Sequence, residues 1–527
     1  MKKKKQGFFG GAAILVLGGV IVKIIGACYK IPLGNILGPV GMADFSIAYN
    51  IYALLFVLST AGIPSAVSKM VSEADARCDF GVVQRIYKVS YITFAAVGFL
   101  GFSVMFFGAE KLAWLMGSNS AALSIRAISP AVMFVCVSAI NRGYFQGHSN
   151  MYPTAISEVL EAAGKLLFGI AVAVVLKHRG FGNDVISAGA IAGVSIGAFL
   201  SALFFVFCRD DRKDASMTHA ESDRKILRNL LGLAVPITAG AAIMSLGNVV
   251  DSALVMNLLQ GGGFSEYRAK WLFGAYNYAA TLFNLPSVFT ATLAVSTIPA
   301  VSAALAMNEE KKANELANTS VCAATTIAFA AAFGLAALSD EIIEILYGNS
   351  IGVLCTEATA LLLRYLCFAI PALGVVTATN SIHQSIGKAY IPVVSGIAGV
   401  VVKVVSNFLL VGRAEINILG AAISTVLCYI TMAVFNTAAL HKYGLIKLKI
   451  TKVLIKPVVP GIAAYITSGY FSRLTRSAFG LSFSTIFSVF VGFLACIGTA
   501  FLVGVVPVKR ESVCWCGKNI SKFLNND

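Results

Sequence analysis

Charged residues are scarce in this chain: Asp, Glu, Lys and Arg make up 13% of its 527 residues, against 57% hydrophobic residues. The mean hydropathy is +0.81. So few charges cannot cover the surface of a soluble globular protein of this length. The composition therefore argues against a soluble enzyme and predicts a polytopic membrane protein.

Motifs of soluble enzymes are also lacking. The sequence contains no GxxxxGK[ST] loop, so we do not expect ATP hydrolysis by this chain. Eleven cysteines without a CxxC pair, together with only five histidines, indicate neither a metal site nor a disulfide framework. A GxSxG match at 193–197 continues a series of glycines spaced by four residues, which favours helix packing over a catalytic serine. We therefore do not expect an enzyme.

Long apolar stretches, by contrast, are abundant. About 20 apolar residues suffice to cross a hydrocarbon core of roughly 30 Å as a helix, whereas barrel strands give a weaker alternation. We therefore predict an all-α fold with about fourteen transmembrane helices. Their predicted cores lie at 9–30, 43–68, 89–109, 120–141, 154–176, 185–208, 229–257, 271–300, 316–338, 356–382, 389–411, 417–440, 453–472 and 481–506.

The sequence contains an internal repeat in which five polar or aromatic residues recur 238 positions later. The first copy comprises Arg126, Gln146, Tyr152, Ser157 and Lys165, and the second comprises Arg364, Gln384, Tyr390, Ser395 and Lys403. Six predicted spans separate the copies, and an even number leaves the orientation unchanged. The pattern predicts two parallel six-helix repeats, which are typical of transporters that alternate access around a central cavity.

The longest charged stretch, 209–228, is predicted to be a cytoplasmic linker between the repeats. The predicted organisation is accordingly an N-lobe at 1–208, the linker at 209–228, a C-lobe at 229–441, two further helices at 442–506 and a cytoplasmic tail at 507–527.

Positive charge follows this topology. Of the 41 Lys and Arg residues, 27 fall in segments predicted on one side of the membrane and nine on the other. The positive-inside rule then places both termini in the cytoplasm. The net charge of +16 is thus explained by orientation and contact with anionic membrane lipids, and it does not call for a nucleic-acid partner.

Several lysines lie inside predicted spans, where a charge is costly unless it faces a wet cavity or a partner. Lys23 and Lys30 are two turns apart on nearly the same face of the first span. Lys165 has an acidic residue four positions before it, Glu161, but its repeat Lys403 has none. Lys403 is therefore the better candidate for binding an anion from outside the protein.

Arg126 and Arg364 lie near the starts of spans 4 and 10. Two interpretations are open: their side chains extend to lipid head groups, or they bind substrate phosphate or gate the lobes. Together with the lysines they outline a candidate cationic cavity for an anionic, phosphate-bearing substrate.

Acidic residues inside the spans are candidates for ion coupling. Asp251 is isolated in span 7, where a carboxylate can bind Na⁺ or carry a proton, and Asn380 and His383 share a helix face that could point towards it. A hydrogen-bonded helix contact is the alternative. Glu158 and Glu161 share a face of span 5 with Lys165, and either a Glu161–Lys165 pair or a substrate role is open. No cofactor is expected beyond such a coupling ion.

Several blocks of sequence resemble the stage V sporulation protein B family, in the polysaccharide-export branch of the multidrug/oligosaccharidyl-lipid/polysaccharide exporter superfamily. The resemblance covers essentially the whole chain. The blocks that carry it are YKIPL at 29–33, LGPVGM at 37–42, STAGIP at 59–64, SK at 68–69, NRGYFQG at 141–147 and MYPTA at 151–155.

This resemblance implies two six-helix lobes that form a V-shaped cavity, followed by two extra helices, in a bacterial plasma membrane. It also implies flipping of a lipid-linked sugar to the outer leaflet, with the undecaprenyl-diphosphate-linked peptidoglycan precursor lipid II as the best fit. Cell-wall synthesis enzymes are then candidate partners.

The resemblance also carries over individual residues. Lys23 and Lys30 look like basic residues on the first helix of lipid II flippases, although arginine is usual there. Asp251 and Asn380 look like sodium-binding positions, but His383 stands where a second carboxylate is expected.

Two other functions remain open on the residues alone. A cation-coupled multidrug antiporter of the same superfamily would use Asp251 with Glu158 or Glu161, although basic residues in the spans argue against cationic cargo. A non-transporting scaffold for cell-wall enzymes would not need ionisable residues repeated in both lobes.

Overall fold

The computed structural model describes residues 8–208, 222–443, 446–449 and 451–505. These residues form helices joined by turns and short loops, with no strand among them, which confirms the all-α prediction. A π-helical turn, Thr451–Ile455, precedes α17. The α-helices are α1 Phe8–Thr60, α2 Ile63–Ala76, α3 Phe80–Phe107, α4 Ala109–Leu115, α5 Ala121–Gly147, α6 Tyr152–His178, α7 Asn183–Phe207, α8 Asp223–Gly261, α9 Glu266–Phe283, α10 Leu285–Ala306, α11 Glu310–Ala337, α12 Ser339–Ile351, α13 Val353–Cys367, α14 Ala369–Ser385, α15 Tyr390–Leu410, α16 Leu419–Tyr443, α17 Lys456–Phe479 and α18 Leu481–Leu502.

Among the described residues, eleven helical segments are long and apolar enough to cross a membrane, or twelve if the bent pair α13 and α14 forms one span. The first of these segments, Leu17–Ala76, contains the second predicted span and most of the first. Helix α17 coincides with the thirteenth predicted span, but it is less apolar than these eleven segments and is not one of them. The exact number of fourteen stays a prediction.

Helix α1 is kinked at Gly38, which divides the first predicted span from the second. The helix runs over 53 residues, and at 1.5 Å per residue it is far too long for one crossing. Gly38 has φ 65° and ψ 176°, a conformation that is essentially restricted to glycine, and Pro39 follows it.

Three predicted spans are interrupted. The second breaks before Ile63, where a Cβ on Gly62 would clash with the Ala234 carbonyl oxygen of α8. The eighth is divided between α9 and α10, with Pro286 in the first turn of α10. The tenth is divided between α13 and α14, which are bent by 44°. Proline or close packing favours a break that hydropathy alone does not show.

The repeat predicted from the sequence is visible in the helix boundaries. Helices α5 and α14 end at Gly147 and Ser385, which are 238 positions apart. Helices α6 and α15 begin at Tyr152 and Tyr390, with the same offset. The two copies therefore form the same turn between corresponding helices.

The same hydrogen bond also occurs in both copies. The Ser157 hydroxyl donates to the carbonyl oxygen of Thr154 at 2.7 Å, and the Ser395 hydroxyl donates to that of Pro392 at 3.0 Å. Both bonds run back one turn at corresponding positions of the repeat.

Helices α6 and α7 approach each other through glycine. A Cβ on Gly197 would clash with the Glu161 carbonyl oxygen, and one on Gly164 would lie 2.8 Å from the Gly197 Cα. The Ser195 hydroxyl donates to the Ala127 carbonyl oxygen at 2.7 Å. The glycine series around the GxSxG match therefore packs helices, as predicted.

The chain folds as two compact units. The first takes the described part of Met1–Thr281 together with Tyr347–Thr359 and Gly396–Ser424. The second takes Leu282–Leu346, Ala360–Ser395 and the described part of Thr425–Asp527. A core cluster of the first unit includes Ile63, Val67, Ile86, Ile140 and Leu230, and one of the second includes Val301, Val321, Ile382 and Leu440.

The predicted linker at 209–228 ends earlier than expected, because Asp223–Arg228 form the first turns of α8. Ser222 is extended and Asp223 lies in the first turn, where a carboxylate stabilises a helix N-terminus. The rest of the linker and the tail at 507–527 lie outside the described residues.

Candidate functional site

Two lysines of the first unit converge on one aromatic ring. The Lys30 ammonium of α1 lies 5.8 Å from the centroid of the Tyr49 ring, and the Lys165 ammonium of α6 lies 5.8 Å from the same centroid. Lys165 also lies 5.4 Å from the Tyr29 ring centroid. We call Lys30, Lys165, Tyr29 and Tyr49 the lysine–tyrosine cluster.

The tyrosines of this cluster are held in place. Tyr29 is 2% exposed, and its hydroxyl donates to the Ala190 carbonyl oxygen at 3.0 Å. Phe45 links the two rings, because it packs against both Tyr29 and Tyr49 with centroids about 6 Å apart. Cation–π attraction therefore holds both ammonium groups against a rigid aromatic surface.

The cluster carries two positive charges that the neighbouring side chains do not neutralise. Both lysines are half-buried, and neither forms an ion pair with any residue that the structure describes. Aromatic rings compensate an ammonium only partly, and two cations at one ring repel each other. An anion brought from outside would relieve that repulsion.

Glu161 pairs with an arginine that the sequence analysis did not single out. The Arg142 guanidinium, on α5, lies 2.8 Å from the Glu161 carboxylate and also donates to the hydroxyls of Ser157 and Ser201. Of the two interpretations left open for Glu161, the pair with Lys165 does not form, because the Glu161 carboxylate pairs with Arg142 instead. The Arg142 side chain is only 7% exposed and forms several hydrogen bonds at this position. Both features favour its pairing with Glu161 over a pair between Glu161 and Lys165.

Two other candidates occupy different surroundings. Glu158 lies on α6 and is half-buried, three residues before Glu161. Lys23 lies on α1, two turns before Lys30, and its side chain is exposed. A role of Lys23 in substrate binding and a role of Glu158 in ion coupling both stay predictions.

Lys403 pairs with Asp251 within the first unit. The ammonium lies 2.9 Å from one carboxylate oxygen of Asp251, and the amide nitrogen of Asn407 donates to the other at 2.7 Å. Lys403 has no acidic residue four positions before it, as the sequence analysis noted, but its acidic partner is distant in sequence and lies on α8 rather than on its own helix α15.

Asn380 and His383 belong to the second unit, where both contact Asn436 of α16. The Asn436 amide donates to the Asn380 side-chain oxygen at 2.8 Å, and the His383 Nε2 lies 3.1 Å from the Asn436 carbonyl oxygen. These contacts join α14 to α16 as polar side chains do between membrane helices. A role in ion coupling stays a prediction.

The repeated arginines each pair with an acid on a short helix. Arg126 pairs at 2.7 Å with Glu110 of α4, and Arg364 pairs with Asp340 of α12. The side chains of Arg126 and Glu110 are 39% and 78% exposed, and exposed pairs of this kind contribute about 0–1 kcal/mol in soluble proteins. A role of either arginine towards substrate stays a prediction.

A further polar group of the first unit joins α1, α9 and the residues just before α5. Asp44 accepts hydrogen bonds of 2.7 Å from the hydroxyls of Ser118 and Ser120 and pairs at 3.1 Å with Lys270. We call these four residues the Asp44 clasp. The Tyr278 hydroxyl adds a second link, since it donates to the Gly34 carbonyl oxygen at 2.9 Å.

The second unit contains a large apolar cavity of about 880 Å³ between α10, α11, α12, α17 and α18. Phe289, Ile327, Leu335, Phe493 and Ile497 are among its lining residues. Such a cavity can accommodate a hydrocarbon chain but offers little to a sugar or a phosphate.

Arg142 and Lys270 were missed because each lies one residue outside a predicted span, at 120–141 and 271–300. Asn407 could have been found from the sequence, because it follows Lys403 by four residues and so lies on the same helix face.

Comparison with known proteins identifies the family. Residues 8–305 match the family described as polysaccharide biosynthesis protein, and residues 236–409 match the family described as MatE. In Bacillus subtilis (strain 168), the uncharacterized membrane protein YabM is 29% identical over 83% of this chain and 81% of that protein. Stage V sporulation protein B is 26% identical over 88% of this chain and 89% of that protein, and lipid II flippase MurJ is 25% identical over 86% and 87%.

Solved structures share the fold. A lipid II flippase MurJ in an inward closed conformation aligns with a TM-score of 0.72 at 16% identity, covering 93% of this chain and 99% of that one. An inward-facing multidrug resistance MATE family transporter of the MOP superfamily aligns with a TM-score of 0.68 at 16% identity, covering 81% and 98%. The long apolar helices and these relatives identify an integral membrane protein of bacteria. Because the first family match covers more than half of the chain, the chain belongs to the polysaccharide biosynthesis protein family.

Proposed function

We propose that this protein flips an undecaprenyl-diphosphate-linked oligosaccharide, best fitted by lipid II, from the inner to the outer leaflet by alternating access. The relatives support a lipid-linked sugar as the class of substrate, since a lipid II flippase is among those that match over most of the chain. Both termini are placed in the cytoplasm by the distribution of Lys and Arg.

The observation that carries the proposal is the lysine–tyrosine cluster. Lys30 and Lys165 hold two ammonium groups at one tyrosine ring inside membrane helices, and no described carboxylate pairs with either. A diphosphate is an anion that two lysines can bind as point charges. The charge of the site therefore suits a lipid-linked sugar phosphate.

The apolar cavity of the second unit supports the same class of substrate. A polyprenyl chain is purely hydrocarbon, and burying each CH₂ group contributes about 0.8 kcal/mol. The cavity volume of about 880 Å³ is enough for a substantial part of such a chain. A lipid-linked sugar carries a hydrocarbon tail of the kind that this cavity suits.

A driving force is available without ATP. An anionic head group that moves outward is favoured by an inside-negative potential, at about 2.3 kcal/mol per charge per 100 mV. The two-fold repeat of α5–α6 and α14–α15 supplies corresponding elements that can alternate between two states.

The main alternative is a cation-coupled antiporter for cationic drugs, which requires an acidic binding site. Of the carboxylates considered for such a site, Asp251 and Glu161 each already pair with a base, and only Glu158 has no ion pair among the described residues. The charge of the lysine–tyrosine cluster also disfavours a cationic substrate. A non-transporting scaffold would leave the two unpaired lysines without a purpose.

The test uses cells depleted of their own lipid II flippase. We expect that expression of this protein restores labelled lipid II on the outer leaflet, and that Lys30→Met with Lys165→Met abolishes the restoration. A Lys312→Met control removes one exposed surface lysine that pairs with Glu309, and it should transport normally. No restoration by correctly inserted protein would contradict lipid II as the substrate.

A further inference from the structure

The carboxylate of Asp251 has a donor on each oxygen. The Lys403 ammonium lies 2.9 Å from Oδ2, and the Asn407 amide nitrogen donates to Oδ1 at 2.7 Å. The side chains of Lys403 and Asp251 are 14% and 9% exposed. The pair is therefore both largely buried and electrically neutral.

The orientation of Asn407 shows what kind of group this site accommodates. Metal cations in proteins bind oxygen ligands, so an amide beside a bound Na⁺ or K⁺ would turn its oxygen towards the ion. Asn407 instead turns its nitrogen to the carboxylate, and its side-chain oxygen is buried without a hydrogen-bond partner. Among the residues that the structure describes, the ammonium of Lys403 is the cation that pairs with Asp251.

We infer that Lys403 is a tethered cation, which occupies at Asp251 the position that a free monovalent metal ion would otherwise take. The inference rests on the proposed transport function and specifies its coupling: the cycle does not require Na⁺ or K⁺ binding at Asp251. A metal ion added beside the ammonium would place two cations at one buried carboxylate, which is strongly unfavourable in a low-dielectric site.

Removing the Lys403 ammonium should convert the Asp251 site into one that binds a monovalent metal cation. In Lys403→Gln the buried carboxylate of Asp251 loses its counter-charge, and the unpartnered oxygen of Asn407 becomes available to a metal ion after rotation of the amide. The variant should therefore bind a monovalent cation that the wild-type protein does not bind.

The experiment measures thermal unfolding of the purified full-length protein in NaCl, KCl and choline chloride at equal ionic strength. A ligand that binds only the folded state raises the melting temperature in a saturable manner. We expect the same melting temperature for the wild-type protein in all three salts. Lys403→Gln should gain several degrees in NaCl or KCl over choline chloride, and Asp251→Asn with Lys403→Gln should gain nothing.

Two results would overturn the inference. One is a saturable, metal-specific stabilisation of the wild-type protein that Asp251→Asn abolishes. The other is a folded Lys403→Gln protein that responds equally to all three salts. If Lys403→Gln cannot be purified, the comparison of wild type with Asp251→Asn decides alone.

Transport gives a separate outcome. Lipid flipping by the wild-type protein should proceed at the same rate when choline replaces Na⁺ and K⁺ on both sides. Absence of flipping in every salt would contradict the proposed function, whereas the unfolding experiment would still judge the role of Lys403.

Discussion

Lys30 and Lys165 differ from three other basic residues of the membrane helices in what surrounds them. Arg142, Lys270 and Lys403 each pair with a carboxylate within 3.1 Å. Lys30 and Lys165 have tyrosine rings instead, and among the described residues no acid pairs with them. An unpaired charge inside a membrane is costly, so its presence indicates a binding role.

Replacing Lys165 with Met should weaken binding of a diphosphate lipid by roughly ten- to a hundredfold, because a hydrogen bond to a charged group contributes about 1.5–3 kcal/mol. Binding of labelled lipid to purified protein measures the change. The Lys312→Met control should bind like wild type, and equal affinity of both variants would count against the cluster.

Arg142 should matter for stability rather than for binding. Removing one partner of a buried ion pair costs about 3–5 kcal/mol, because the other charge stays buried without compensation. Arg142→Met should therefore lower the free energy of unfolding by about that amount, and Arg142→Met with Glu161→Met should recover much of the loss. Arg126→Met, at an exposed pair, is the control and should cost at most about 1 kcal/mol. Similar losses for Arg142→Met and Arg126→Met would contradict this assignment.

Which charges pair could not be predicted from the sequence. The partner of Asp251 is 152 positions away at Lys403, and local spacing suggested Lys165 for Glu161, which pairs with Arg142. Local spacing reports only neighbours on the same helix, whereas these pairs form between helices whose packing depends on the whole fold.

At the scale of helices, the crossing of α6 and α7 depends on the absence of side chains. Gly197 faces the backbone of α6 at Glu161 and Gly164, where a Cβ has no room. The spacing of glycines by four residues was enough to predict this contact from the sequence.

Gly197→Ala should destabilise the protein by about 1–3 kcal/mol, the usual cost of adding a methyl group to a packed interface. The matched control is Gly498→Ala in α18, where a Cβ would meet no atom within 4 Å. The control should be neutral or slightly stabilising, since Ala is a better helix former than Gly. Chemical unfolding in detergent measures both, and equal effects would refute the close crossing.

Helix positions followed from hydropathy, but helix interruptions did not. Every predicted span overlaps one helix or a broken pair of helices, yet the breaks at Gly62, Asn284 and Phe368 and the short helices α4 and α12 were not predicted. Hydropathy averages over many residues, so a single glycine or proline that redirects the chain leaves no trace in it.

At the scale of the whole molecule, alternating access requires contacts that form in one state and break in another. The Asp44 clasp is a candidate, because it ties α1 to α9 through Asp44 and Lys270. On the predicted topology it lies on the extracytoplasmic side of the membrane. An outward-open state would have to separate them.

A reversible thiol crosslink between Asp44→Cys and Lys270→Cys, made in a background without other cysteines, should therefore stop flipping. A reductant should restore it. The double variant must transport before crosslinking for the result to count. Crosslinked protein that flips lipid at the unmodified rate would show that the clasp stays closed throughout the cycle.

The most direct test of the proposed function uses purified protein in liposomes that contain labelled lipid II. An added enzyme that reaches only outer-leaflet lipid reports how much substrate has crossed. We predict that wild-type protein and Lys312→Met expose inner-leaflet lipid II to the enzyme, whereas Lys30→Met with Lys165→Met remains at the level of protein-free liposomes. Wild-type protein that is correctly inserted and exposes no more lipid II than empty liposomes would contradict the account.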